Sequence, residues 1–297
     1  MIVKTTQQRD IIEQRVAHAS QDGDGVAIKR IAGMTHTGMD PILMVDELRS
    51  QHEADFMGGF PPHPHRGMQT LTYMKLGGIV HEDNQGNRGE IRGGGAQWMS
   101  AGRGIIHSEM PTQDSAGLHG FQLWINLPRG EKMSLPRYRD IPADELAIHV
   151  GSDYQLTAIS GSWEWAADKP QANQLAPLSV RGPLVELEDR AAIADLSLAP
   201  DAHLSLLTEN EDSVLAYIYE GSIVSGGVEN GPQTLLITGQ GNEWLLKAGA
   251  SGASVLVMRG QPLGEPVAHY GPFVMNTSDE IEEAIRAYQA GEFAQIA

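Results

Sequence analysis

The sequence predicts an all-β protein of two consecutive barrel or sandwich units, followed by a short C-terminal helix. Three observations carry this prediction. Short strand-forming runs punctuated by glycine turns fill the first half, a second strand-rich block echoes the first, and one helical periodicity stands near the end of the chain.

In the first block, Thr70-Leu71-Thr72-Tyr73-Met74 has the β-branched and aromatic composition of a strand, and Asn84-Gln85-Gly86-Asn87 reads as a turn. Gly93-Gly94-Gly95 is a turn leading into a Trp-containing strand, and Phe121 to Asn126 alternates with the period of two expected of a strand. The second block, from about Leu196 to Arg259, repeats two features. Gly77-Gly78-Ile79-Val80 resembles Gly221-Ser222-Ile223-Val224, 144 residues on, and Gln97-Trp98-Met99 resembles Glu243-Trp244-Leu245, 146 residues on. Near-equal offsets point to a duplicated unit. The polar stretch Ala166 to Gln174, with Pro170, reads as a linker; the boundary is placed within 135–175, giving domains 1–150 and 151–297. Ile281, Ala284, Ile285 and Tyr288 recur at helical spacing, with Thr277 or Ser278 as the cap.

Composition narrows the functional classes. At 297 residues, two hydrophobic cores are expected, and 41% hydrophobic residues suit a globular chain. With 21 basic against 38 acidic residues the net charge is −17, which opposes a phosphate-binding surface, so no direct nucleic-acid partner is expected. There is no cysteine, so any transition metal must be held by imidazole and oxygen. The first ten residues lack a signal-type apolar run and no stretch approaches the roughly 18 apolar residues of a membrane helix. The expectation is a cytoplasmic protein without a membrane partner.

The chemistry concentrates in two short segments. His63-Pro64-His65 sets two imidazoles at i and i+2, which project to one face of an extended strand, and His107-Ser108-Glu109 repeats the spacing with an imidazole and a carboxylate. If the segments lie side by side, His63, His65, His107 and Glu109 converge on one divalent transition metal. Iron, manganese, cobalt, nickel, copper and zinc all suit such donors, whereas magnesium and calcium would require more oxygen. A single histidine is ordinarily a surface or core residue; it is the pairing that singles these out. Gln122, Trp124 and Asn126 share a strand face that can line the site, and Phe60, Met57, Met68 and Met110 are the expected apolar walls. His81-Glu82-Asp83 offers a similar donor set but adjoins the turn at 84–87, and is read as a solvated hairpin end. P-loop, dinucleotide-binding and nucleophile-elbow motifs are absent.

The strings Gly59-Phe60-Pro61-Pro62-His63-Pro64-His65-Arg66-Gly67 and Gln97-Trp98-Met99-Ser100-Ala101-Gly102-Arg103-Gly104-Ile105-Ile106-His107-Ser108-Glu109 resemble the pirin family, as do Phe121 to Pro128 and Gly271 to Thr277. The resemblance spans about residues 40–290. It implies two consecutive cupin (jelly-roll) β-barrels, with iron, as Fe(II), held in the first by His63, His65, His107 and Glu109. It also implies a quercetin 2,3-dioxygenase-like activity on a small aromatic, flavonol-like substrate, with Glu109 as the catalytic proton acceptor. The alternative it carries is a metal- or redox-responsive regulator that docks onto a protein partner without turnover. One departure stands out: Gln69 occupies a position that is usually glutamate in the family, and the neutral amide is expected to alter the charge around the metal. The second block contains no His-x-His pair, only His203, and is expected to serve structure or interaction.

Overall fold

The computed structural model describes residues 6–166, 177–187 and 190–293. It contains two compact units. One holds the described residues of His18–Thr37, Pro41–Glu145 and Leu263–Ala297, the other those of Met1–Ala17, Gly38–Asp40 and Leu146–Pro262. The cut expected at residue 150 is therefore too simple, because the two ends of the chain change places. The terminal helix belongs with the N-terminal barrel, and the strand Ile11–Val16 pairs with Thr234–Thr238 of the C-terminal one. Most of the expected linker lies outside the described residues; Ala166 ends the strand Ser162–Ala166.

The N-terminal barrel is made of two antiparallel sheets. Seven strands run in the order Arg137–Ile141, Ala96–Ser100, Met68–Leu76, Leu118–Asn126, Ile42–Ser50, Val26–Ala32, His18–Asp22. Four run in the order Phe60–His65, Ile105–Pro111, Gly78–Asp83, Arg88–Arg92. Val26, Ile28, Leu48, Met74 and Leu118 of the larger sheet pack against Ile79 and Ile91 of the smaller, each nearly excluded from solvent. Burial of such side chains contributes roughly 1.5–3 kcal/mol apiece before entropy is counted, and it holds the small sheet over the large one.

The C-terminal segment is fastened onto this barrel. The hairpin Ala268–Tyr270 with Phe273–Met275 precedes the helix Ser278–Gln289, whose cap is Thr277. Thr277 and Glu280 form a reciprocal capping box, and Ile281 and Ala284 pack with Phe273, Met275 and Phe293. Lys132 is buried, and its Nζ donates to Gly67 O, Asn126 Oδ1 and Val274 O at 2.8, 2.7 and 3.1 Å. Gly67, at φ 75°, leaves no room for a Cβ against the Val274 carbonyl, so this junction requires glycine.

The C-terminal barrel has an eleven-stranded sheet around a core that includes Trp163, Trp165, Leu206 and Trp244. Its echoes of the first barrel are structural. Gly77 and Gly221 both have positive φ, 76° and 65°, where the chain bends, and Trp98 and Trp244 are each 2% exposed. His203 stands in the strand His203–Leu207, opposite Lys247.

Candidate metal centre

The two i, i+2 pairs lie on adjacent antiparallel strands, Phe60–His65 and Ile105–Pro111, in a register that sets His107 opposite His63. Four strands of the intervening chain separate them in sequence, and the sheet brings them together. The ring centroids of His63, His65 and His107 are 4.5–5.0 Å apart, and one nitrogen from each falls within 4.8 Å of the others. Among the described residues this is the one cluster of histidine and carboxylate side chains arranged to hold a metal ion.

Burial, reinforced by the neighbouring imidazoles, pushes the His65 and His107 pKa values well below the ordinary histidine value; for His65 a hydrogen bond to the Pro272 backbone opposes the shift. The neutral ring is the form that ligates. His63 Nδ1 lies 2.8 Å from Pro61 O, so it must carry the proton and donate, leaving the Nε2 lone pair free. His65 Nδ1 and His107 Nε2 are buried without a hydrogen-bond partner. Buried polar nitrogens are ordinarily satisfied, so orphaned nitrogens on converging neutral rings fit a divalent transition metal.

Glu109 stands apart from the tight cluster. Thr72 Oγ1 donates to its Oε1 at 2.9 Å and Gln122 Nε2 to its Oε2 at 3.3 Å. It shares with His63 and His65 a cavity of about 810 Å³. Gln122 and Trp124 line that cavity, and Trp124 meets His65 edge-on with ring centroids 5.3 Å apart. Asn126, on the same strand, instead accepts from Lys132. The apolar walls come from Met34, Met44, Leu48 and Phe60. Of the other residues expected there, Met57 packs into the core between the sheets, Met68 against Leu43 and Val274, and Met110 is partly exposed on another groove. The cavity also has a charged wall that the sequence did not suggest. Arg30 binds Asp46 through two hydrogen bonds, at 2.8 and 2.6 Å, and Asp22 at 2.5 Å.

Two expectations are corrected. His81 is no solvated hairpin end: it is 1% exposed, its Nδ1 is 3.2 Å from His107 Nδ1, and its Nε2 is 3.2 Å from Asp83 Oδ2. Its i, i+2 spacing to Asp83 is the signal that marked the other two pairs, and the adjoining turn masked it. Gln69 does not reach the imidazoles. It accepts from Trp98 Nε1 at 2.9 Å, and it lies three residues from Thr72, so the pleat turns the two side chains to opposite faces.

Comparison with known proteins gives the family and the fold. The Pirin family model matches residues 25–125, and that of the Pirin C-terminal cupin domain matches residues 193–294. The chain belongs to the pirin family. A pirin-like protein of Caulobacter vibrioides is 34% identical over 287 residues, covering 96% of this chain and 99% of that one. A Vibrio cholerae protein, named as a candidate quercetin 2,3-dioxygenase, is 43% identical over 291 residues, 97% of this chain and 99% of that one. The crystal structure of quercetin 2,3-dioxygenase from Acinetobacter baumannii has a TM-score of 0.84 at 28% identity, covering 98% of this chain and 100% of that one. An Escherichia coli pirin solved in complex with nickel(II) has a TM-score of 0.57 at 21% identity, covering 84% of this chain and 99% of that one, a likeness of fold. This pirin is thus all-β, with two cupin barrels and a short C-terminal helix. None of its described helices is long and apolar enough to cross a membrane.

Proposed function

We propose that this pirin is a metal-dependent dioxygenase acting on a flavonol-like aromatic substrate. The observation that carries the reading is the convergence of three imidazoles, two of them with orphaned buried nitrogens, beside an 810 Å³ cavity with aromatic and thioether walls. The names of the Vibrio and Acinetobacter relatives support the same reaction class.

In this reading His63, His65 and His107 hold one divalent transition metal; the donors suit several such ions alike, and the choice of iron, as Fe(II), follows the family resemblance. The metal supplies Lewis acidity toward a substrate hydroxyl and a place for oxygen. The chain supplies the rest. Glu109 accepts the hydroxyl proton, an effect worth about 10²–10⁴-fold in rate for a well-placed base. Thr72 and Gln122 aim its two oxygens, each of which keeps a lone pair for a proton or an ion. Trp124, Met44 and Phe60 seat the aromatic body and exclude water.

Oxygen uptake by Fe(II)-reconstituted protein given quercetin, run beside His107→Ala with metal content assayed in both, tests the proposal. Uptake that tracks bound iron and is lost in the variant is expected. Bound metal without uptake would reject flavonol oxidation, and no metal in either sample would reject the centre.

A further inference from the structure

His107 has a neighbour that controls which of its nitrogens is free. His107 Nδ1 and His81 Nδ1 face each other at 3.2 Å, so one carries the proton and the other accepts it. The choice is set at the far side of His81, whose Nε2 faces Asp83 Oδ2 at 3.2 Å. A carboxylate only accepts, and this one is built to stay ionised. Gln85 N and Asn87 N donate to Asp83 Oδ1 at 2.9 and 3.0 Å, and Asn87 Nδ2 donates to Oδ2 at 2.8 Å. Burial works against the charge on Asp83, but these bonds together with that from His81 hold its carboxyl below the ordinary carboxylate range.

The order of protons then follows along the row. Asp83 accepts a hydrogen bond from the protonated His81 Nε2, which makes His81 Nδ1 an acceptor, which requires His107 Nδ1 to be the donor. His107 Nε2 is left with its lone pair, and that is the buried nitrogen without a partner. The row is also fixed in space. Asp83 pairs with His107 across the antiparallel strands, and Asn84 exchanges hydrogen bonds with the Ile106 backbone, at 2.9 Å each, tying the hairpin tip beside the ligand strand. Tyr138 stacks on His81 at 4.4 Å, and its hydroxyl is anchored on Asp140 at 2.6 Å.

We propose that Asp83 and His81 are positioning residues that lock His107 in the Nδ1–H tautomer, so that the hairpin Gly78–Arg92 preorganises the metal site before any ion arrives. The inference rests on the metal reading above. Outer partners of ligating histidines typically govern about 10–100-fold in metal affinity.

Asp83→Asn probes it with little change of shape. The two backbone donors at Oδ1 require an oxygen there, so the new amide nitrogen faces His81 Nε2, and the Asn87 side-chain amide, which now donates to Oδ2, turns to offer its oxygen instead. A donor in that place drives the His81 proton to Nδ1 and the His107 proton to Nε2, the nitrogen a metal needs. Co(II) titration of the full chain, followed by its visible absorption, should show a loss of about 10–100-fold in affinity for Asp83→Asn. In a His81→Phe background the same substitution should change affinity by less than about twofold, because the link is gone. Long-range ¹⁵N–¹H spectra of the metal-free unmodified protein should show His107 as the Nδ1–H and His81 as the Nε2–H tautomer. The reverse pair of tautomers, or an Asp83→Asn effect that persists without His81, would overturn the proposal. Failure of the unmodified protein to bind Co(II) at all would overturn the metal reading instead, while the tautomers would still report on the row itself.

Discussion

Trp98 donates its indole N–H to Gln69 Oε1 at 2.9 Å, and both side chains are 2% exposed. The bond accounts for the amide: an oxygen acceptor for Trp98 is what the position requires, and an amide provides it without burying a charge. Gln69→Leu should leave the indole unpaired and cost about 1–3 kcal/mol of stability. Urea denaturation should register that loss, while metal content per chain stays at the parent level. Loss of metal at full stability would return Gln69 to the metal site.

Glu109 should separate binding from turnover. With three imidazoles converging without it, Glu109→Gln should retain Fe(II) to within about tenfold and lose roughly 10²–10⁴-fold in oxygen uptake. Metal analysis beside the uptake assay distinguishes this from a ligand role, in which metal would be lost as well.

The charged wall of the cavity depends on compensation. Asp46 has a 5% exposed side chain and takes two hydrogen bonds from Arg30. Arg30→Met should cost roughly 3–5 kcal/mol by stranding a buried carboxylate. Arg30→Met with Asp46→Leu should recover most of it, as thermal melts of the two variants would show.

Lys132 is a buried cation satisfied by three acceptors, one of which, Val274 O, belongs to the C-terminal segment. Lys132→Met leaves these oxygens unpaired and should destabilise on the order of 3 kcal/mol. Hydrogen exchange should rise first in the hairpin 268–275 and the helix Ser278–Gln289.

The helix cap carries a pH dependence. Burial is the largest single influence on Glu280 and disfavours its charge, but hydrogen bonds from Asn276 and Thr277, with Arg129 nearby, together outweigh it and hold the carboxyl below its ordinary value of 4.5. A depressed acid stabilises the fold above the ordinary value, and the contribution is lost as the pH falls through the folded one. The difference in urea midpoint between the parent and Glu280→Gln should therefore be full at pH 7 and close below about pH 4.5.

What the sequence determined by itself was local. The i, i+2 spacing of His63 with His65 and of His107 with Glu109 dictates a shared face on any strand, because the pleat has a period of two. Thr277, Glu280 and the apolar positions after them dictate a capped helix, because the bonds that make it lie within four residues. What joined distant segments was decided only by the tertiary structure. The hydrogen bond between His107 and His81 arises from the cross-strand register of Gly78–Asp83 with Ile105–Pro111, and the cavity from residues as far apart as Asp22 and Pro272. The exchange of chain ends between the barrels, and the turning of Gln69 toward Trp98, belong to the same class. Periodicity shows which side chains share a face, but the neighbour across that face is chosen by strand order and register, which depend on how the whole core closes.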